Sequence, residues 1–100
     1  MAIMEISVVP IGVGSSVSNY VAKCIEIIKR SGLSYEVTAM GTIIEGDIEQ
    51  LLELALLVHK VPFEMGAKRV LTNIKIDERI DKKATIDSKI ASIKNKINVE

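Results

Sequence analysis

Residues 33–47 read Leu33-Ser34-Tyr35-Glu36-Val37-Thr38-Ala39-Met40-Gly41-Thr42-Ile43-Ile44-Glu45-Gly46-Asp47. From 33 to 40 the stretch alternates, with Tyr35, Val37 and Ala39 on one face and Glu36, Thr38 and Met40 on the other, which predicts a half-buried strand. Gly41 suggests a tight turn, Thr42 to Glu45 a short return strand, and Gly46 its end. Two strands in direct succession therefore occupy the middle of the chain, and what flanks them decides the fold.

Upstream, residues 3–9 alternate as a strand with Met4, Ile6 and Val8 on one face and Glu5 and Ser7 on the other. Pro10, Gly12 and Gly14 are expected to break it. Ser15 or Ser16 suits a helix N-cap, and apolar residues at 17, 21, 24, 25 and 28 predict one buried helix face up to Arg30. Lys29 and Arg30 fall in the last turn, where the helix dipole favours cations, and Gly32 is the expected stop. Downstream, Asp47 with Gln50 three positions on gives a capping-box-like start to a helix over about 48–65. Pro62 is expected to kink or restart that helix, and Gly66 closes it. Residues 69–77 predict a fourth strand with Val70, Thr72, Ile74 and Ile76 on one face and Leu71, Asn73, Lys75 and Asp77 on the other. After a charged link, Ile86, Ile90, Ile93 and Ile97 predict a last helix over about 85–97.

The order is the α+β, ferredoxin-like βαββαβ pattern: an antiparallel sheet with two helices on one face, plus a C-terminal helix. Residues 1–100 are expected to form one domain with its core in about 2–79. Met4, Ile6 and Val8 with Val70, Ile74 and Ile76 are expected to face the helices. The other face would show Glu5, Ser7, Glu36, Thr38, Asn73, Lys75 and Asp77.

The 100 residues are 48% hydrophobic and 26% charged, ordinary values for a globular protein. Lys+Arg and Asp+Glu are 13 each, so net charge is zero, which argues against nucleic acid as a partner and removes charge repulsion as a guard against self-association. A single cysteine, Cys24, excludes a disulfide framework and a Cys-based zinc site; with no secretory leader recognisable, it fits a cytoplasmic protein. No apolar run approaches 18 residues, so no membrane span is expected. Two surfaces ask for partners. The second helix is apolar nearly all round, which places Leu54 or Leu57, or both, at an interface. The stripe Ile86, Ile90, Ile93 needs burial on its own domain or on a neighbour, so a homo-oligomer is expected.

Three segments carry a resemblance: Ser31-Gly32-Leu33-Ser34-Tyr35-Glu36; Met40-Gly41-Thr42-Ile43-Ile44-Glu45-Gly46-Asp47; and Gly66-Ala67-Lys68-Arg69-Val70 running into Lys75-Ile76-Asp77-Glu78-Arg79. The opening Ile6-Ser7-Val8-Val9-Pro10-Ile11-Gly12 and Ser18-Asn19-Tyr20 also fit. In these the chain resembles the small thiamine-binding protein family, and the likeness covers nearly all of it. The resemblance implies a ferredoxin-like fold assembled as dimers and often tetramers. It also implies binding of thiamine or its hydroxymethylpyrimidine part without chemistry, hence no cofactor. Pro62, where a plain helix former is expected, is a departure.

Beside that implication each residue has a plainer reading. Glu45 would meet a thiazolium cation or an aminopyrimidine, or else be solvated at a turn where Gly46 and Asp47 serve the helix start. Thr38 and Thr42 would give hydroxyls to the same cleft, or be ordinary β-branched strand residues. Tyr20 would stack on a pyrimidine beside Ser18, or both would cap and pack the first helix. Ser7 is a ligand contact or a wet sheet residue. Lys75, Asp77 and Arg79 read as an intersubunit or edge ion-pair set. The lone His59 cannot form a His-rich metal site, and Cys24 reads as buried and inert. The rival functions are a regulatory or scaffolding oligomer holding another metabolite or none, and a small cofactor-free enzyme using His59 or Glu45 as base.

Overall fold

The computed structural model describes residues 1–14, 17–81 and 85–97. The alternating stretches form strands β1 (Ala2–Ile11), β2 (Tyr35–Thr38), β3 (Gly41–Gly46) and β4 (Arg69–Glu78). The stretches of helical period form α1 (Ser18–Arg30), α2 (Ile48–Glu64) and α3 (Ile86–Ile97). All strand pairs are antiparallel, in the order β2-β3-β1-β4, which is the ferredoxin-like arrangement read from the sequence.

The pleat puts Met4, Ile6 and Ile44 on the face covered by α1 and α2. There they meet Cys24 and Ile28 of α1 and Leu51, Leu54, Ala55, Val58 and Val61 of α2. Each fully buried side chain of this size contributes about 1.5–3 kcal/mol relative to exposure. Ile74 and Ile76 share that face, in register with Ile6 and Met4, yet both stay exposed at the β4 edge. The opposite face is less polar than expected. Besides Glu5, Ser7 and Lys75 it carries Val9 in register with Leu71 and Ile11 in register with Arg69, and all three apolar residues are exposed.

Several local expectations change. The proposed caps Ser15 and Ser16 lie outside the described residues, and the N-cap of α1 is Val17, with no side-chain cap bond. At the other end Gly32 adopts φ +77°, a conformation that glycine tolerates best, and its N–H reaches Lys29 O at 3.3 Å. Asp47 and Gln50 form the capping box of α2, with Asp47 N–H donating to Gln50 Oε1 at 3.2 Å. Pro10 does not end β1, which runs to Ile11 paired with β4. Pro62 does not restart α2, which runs as one helix from Ile48 to Glu64 with Pro62 fully buried. Leu54 is not available to a partner: it lies in the chain's own core, on the α2 face turned to the sheet, while Leu57 remains exposed.

Candidate ligand-binding cleft

The sheet has a notch. β1 pairs with β3 only from Ala2 to Ile6, where Ile6 meets Thr42, but pairs with β4 out to Ile11. The carbonyl of Ile6 points toward β3, for a Cβ built on Gly41 would lie 2.9 Å from it. Backbone groups alternate sides along a strand, so Val8 turns its N–H and C=O the same way, past the end of β3, onto an edge with no strand partner. Pro10 faces that same free side, which is why its missing N–H breaks no ladder bond.

Between this free edge, α1 and the β2–β3 turn lies a cleft of about 190 Å³. Its floor is Ile6 and Val8 of β1, one wall is Val17 with Val21, Cys24 and Ile28 of α1, and residues Val37 to Thr42 form the other side. A cavity of about 150 Å³ holds benzene, so the space suits one substituted ring. Thr42, 8% exposed, is the one polar side chain in the buried class among the described residues. Thr38 fixes the turn: its hydroxyl donates to Gly41 O at 2.8 Å and accepts from Met40 N at 3.3 Å. Met40 stands almost wholly exposed at the mouth. No charged side chain lines the space.

Cys24 closes the back of the cleft and solves a problem set by Pro62. Proline has no N–H to give the carbonyl four residues before it, here Val58 O. The Cys24 thiol donates to that oxygen instead, at 3.8 Å from Sγ. Burial pushes the thiol pKa up to about 11, so it remains a donor at neutral pH.

Of the residues read from sequence, Ser7, Thr38 and Thr42 line the cleft, Ser7 from a strand position whose side chain turns to the opposite sheet face, while Ser18, Tyr20 and Glu45 are not among its lining residues. Glu45 lies on the opposite sheet face, in register with Ile3, and its Oε1 accepts the Ile86 N–H at 3.2 Å. It thus caps the start of α3, an acidic group where the helix dipole favours one. Asp77 accepts from Lys89 Nζ at 2.5 Å, and Arg79 donates through Nε and Nη2 to Asp81 at 2.9 and 2.6 Å. Asp77 and Arg79 are thus paired within the chain, at the β4 edge. His59 Nδ1 lies 2.7 Å from Thr72 Oγ1, and its ring meets Phe63 edge-on at 5.6 Å, a packing role between α2 and β4. Among the described residues no group of three or more His, Cys, Asp or Glu could hold a metal ion, and no helix is long and apolar enough to cross a membrane.

The sequence reading missed the Val8 backbone edge, the Cys24 wall and Met40. One signal was present: strand 3–9 is longer than its partner 42–45, so one end had to stay unpaired on that side.

Fold and cleft together define a ferredoxin-like α+β protein with a ring-sized apolar cleft at a sheet notch. Residues 4–94 match the thiamine-binding protein family, and the chain belongs to that family. It is 44% identical over 98 residues to a Bacillus subtilis protein, covering 93% of this chain and 94% of that one. The crystal structure of a Methanocaldococcus jannaschii protein superposes with a TM-score of 0.87 at 41% identity, covering 92% of this chain and 94% of that one. A Thermotoga maritima structure, described provisionally as a thiamine biosynthesis/salvage protein, superposes at 0.79 with 26% identity, covering 92% and 97%.

Proposed function

We propose that this chain is a non-catalytic, oligomeric binding protein for thiamine or hydroxymethylpyrimidine, with the pyrimidine ring seated in the notch between α1 and the β2–β3 turn. The observation that carries the reading is the free edge of Val8 beside Thr42 in an otherwise apolar wall. An aminopyrimidine offers an exocyclic amine beside a ring nitrogen, a donor next to an acceptor. A strand edge offers the matching pair, a carbonyl and an N–H of one residue, and Thr42 adds a hydroxyl. Family membership and the provisional thiamine description of the Thermotoga maritima protein support the same ligand class. In this reading Glu45 is a helix cap and not a ligand contact. The absence of charge along the cleft leaves the thiazolium of thiamine to extend toward the mouth.

The test is a thermal-shift titration of ligand-free protein with thiamine, hydroxymethylpyrimidine and thiamine diphosphate, confirmed by calorimetry. A ligand of the native state raises the melting temperature as its concentration passes Kd. A saturable rise with the first two is expected, lost in Thr42→Val and kept in Glu45→Gln. No rise up to millimolar concentrations of either compound overturns the proposal.

A further inference from the structure

On the side of α2 away from the cleft, an apolar groove lies open between the helix and the edge strand. Leu52, Leu56 and Phe63 of α2 recur at helical spacing on the flank that also carries His59, and His59 touches Thr72 of β4. This flank therefore overlooks β4, whose Ile74 and Ile76 point to the same sheet face. All five side chains are exposed, from Ile76 at 38% to Leu56 at 54%. Monomeric proteins rarely leave so continuous an apolar strip to water.

The chain also carries an unpartnered complement. α3 buries none of its residues, and Ile90, Ile93 and Ile97 are 42%, 58% and 60% exposed along one stripe. Its own first turn is tied through Glu45 and Asp77 to the opposite sheet face, away from the groove.

Charge favours one occupant and one direction. Along α2, Glu49 and Glu53 fall in the first half, with Glu78 at the adjacent end of β4, and Lys60, followed by Glu64, falls towards the far end. α3 carries Asp87 in its first turn and Lys94 and Lys96 in its last. The span from Glu49 to Lys60 is about 16 Å of helix and that from Asp87 to Lys96 about 14 Å, at 1.5 Å per residue. We infer that α3 of a second copy of this chain lies antiparallel to α2 in the groove, its isoleucine stripe on Leu52, Leu56 and Ile74. Lys94 and Lys96 then meet Glu49 and Glu78, and Asp87 meets Lys60. The exchange is reciprocal, as a two-fold dimer requires. It rests on the self-association in the proposed function and names the surfaces that meet.

The test combines sedimentation with crosslinking of the full chain. Chains carrying Leu56→Cys are mixed with chains carrying Ile93→Cys and oxidised gently; the buried Cys24 is replaced by Ala in both. A disulfide-linked heterodimer is expected in the mixture, and Ile93→Asp is expected to sediment as a monomer with its circular dichroism unchanged. Glu49→Lys with Glu78→Lys should weaken assembly at low salt at least tenfold, and Lys94→Glu with Lys96→Glu in the same chain should restore it. A wild-type chain that sediments as a monomer overturns both the assembly and this interface. A wild-type oligomer that gives no crosslink and survives Ile93→Asp overturns the interface alone.

Discussion

Cys24 and Pro62 are 38 positions apart in sequence but act on one atom, the carbonyl oxygen of Val58. The proline withholds the N–H that the oxygen would receive in an uninterrupted helix, and the thiol replaces it. The two residues should therefore be coupled. In a double-mutant cycle Cys24→Ala costs stability in the wild-type background, and less once Pro62→Ala restores a backbone donor. The expected coupling is about 0.5–1 kcal/mol, measured by urea denaturation of the four proteins. Additive effects within error would show that the contact contributes nothing. At this scale the sequence was only partly legible. Rules for single residues describe proline as a breaker, yet Pro10 sits on an edge that has lost its neighbour, and Pro62 has its orphaned carbonyl met from another helix. The bond Glu45 makes is not legible for a similar reason: its partner, the Ile86 N–H, is 41 residues away.

The β2–β3 hairpin shows what holds a candidate site in place at the scale of elements. The hydroxyl of Thr38 ties the turn, and Gly41 lets β3 begin against the backbone of β1. A methyl at position 41 would meet Ile6 O at 2.9 Å, and a backbone oxygen in a paired strand cannot swing aside. Gly41→Ala should then cost about 1–3 kcal/mol and displace the turn that forms one side of the cleft. Equilibrium unfolding reads the first effect, and loss of the thiamine-induced melting shift reads the second; a variant as stable as wild type would remove Gly41 from the account. The elements themselves were legible because apolar residues recur with period two in the strands and three to four in the helices. Helix α2 was the exception. With leucines nearly all round, its periodicity does not tell which flank faces the sheet, so it offers Leu54 or Leu57 or both to another chain, whereas Leu54 is buried and Leu57, Leu52 and Leu56 are exposed.

For the whole molecule, alkaline behaviour is informative as a difference between two chains, since the lysines and tyrosines titrate over the same range in both and their contribution cancels. The thiol of Cys24 titrates at about 11 in the fold against an ordinary value of 9.0. Its folded value is the higher one, so its contribution is complete below pH 9 and is lost as pH rises from 9 through 11. The loss is about 2–3 kcal/mol at most, and it should appear as a steeper fall in stability for wild type than for Cys24→Ala across that window. Parallel curves would mean that the thiolate is tolerated in place. The fold was the most legible level, because strand order follows from the sequence of elements and the handedness of their connections. The notch was the least legible, since it is made by a difference in length between two neighbouring strands. That origin makes the cleft adjustable independently of the core. Lengthening the β2–β3 hairpin by two residues would carry the ladder over Val8 and seal the opening, and shortening it would widen the gap, in either case without touching Met4, Ile28 or Leu51. Chains sharing this scaffold could thus gain, retune or abandon a ligand through insertions and deletions in one turn.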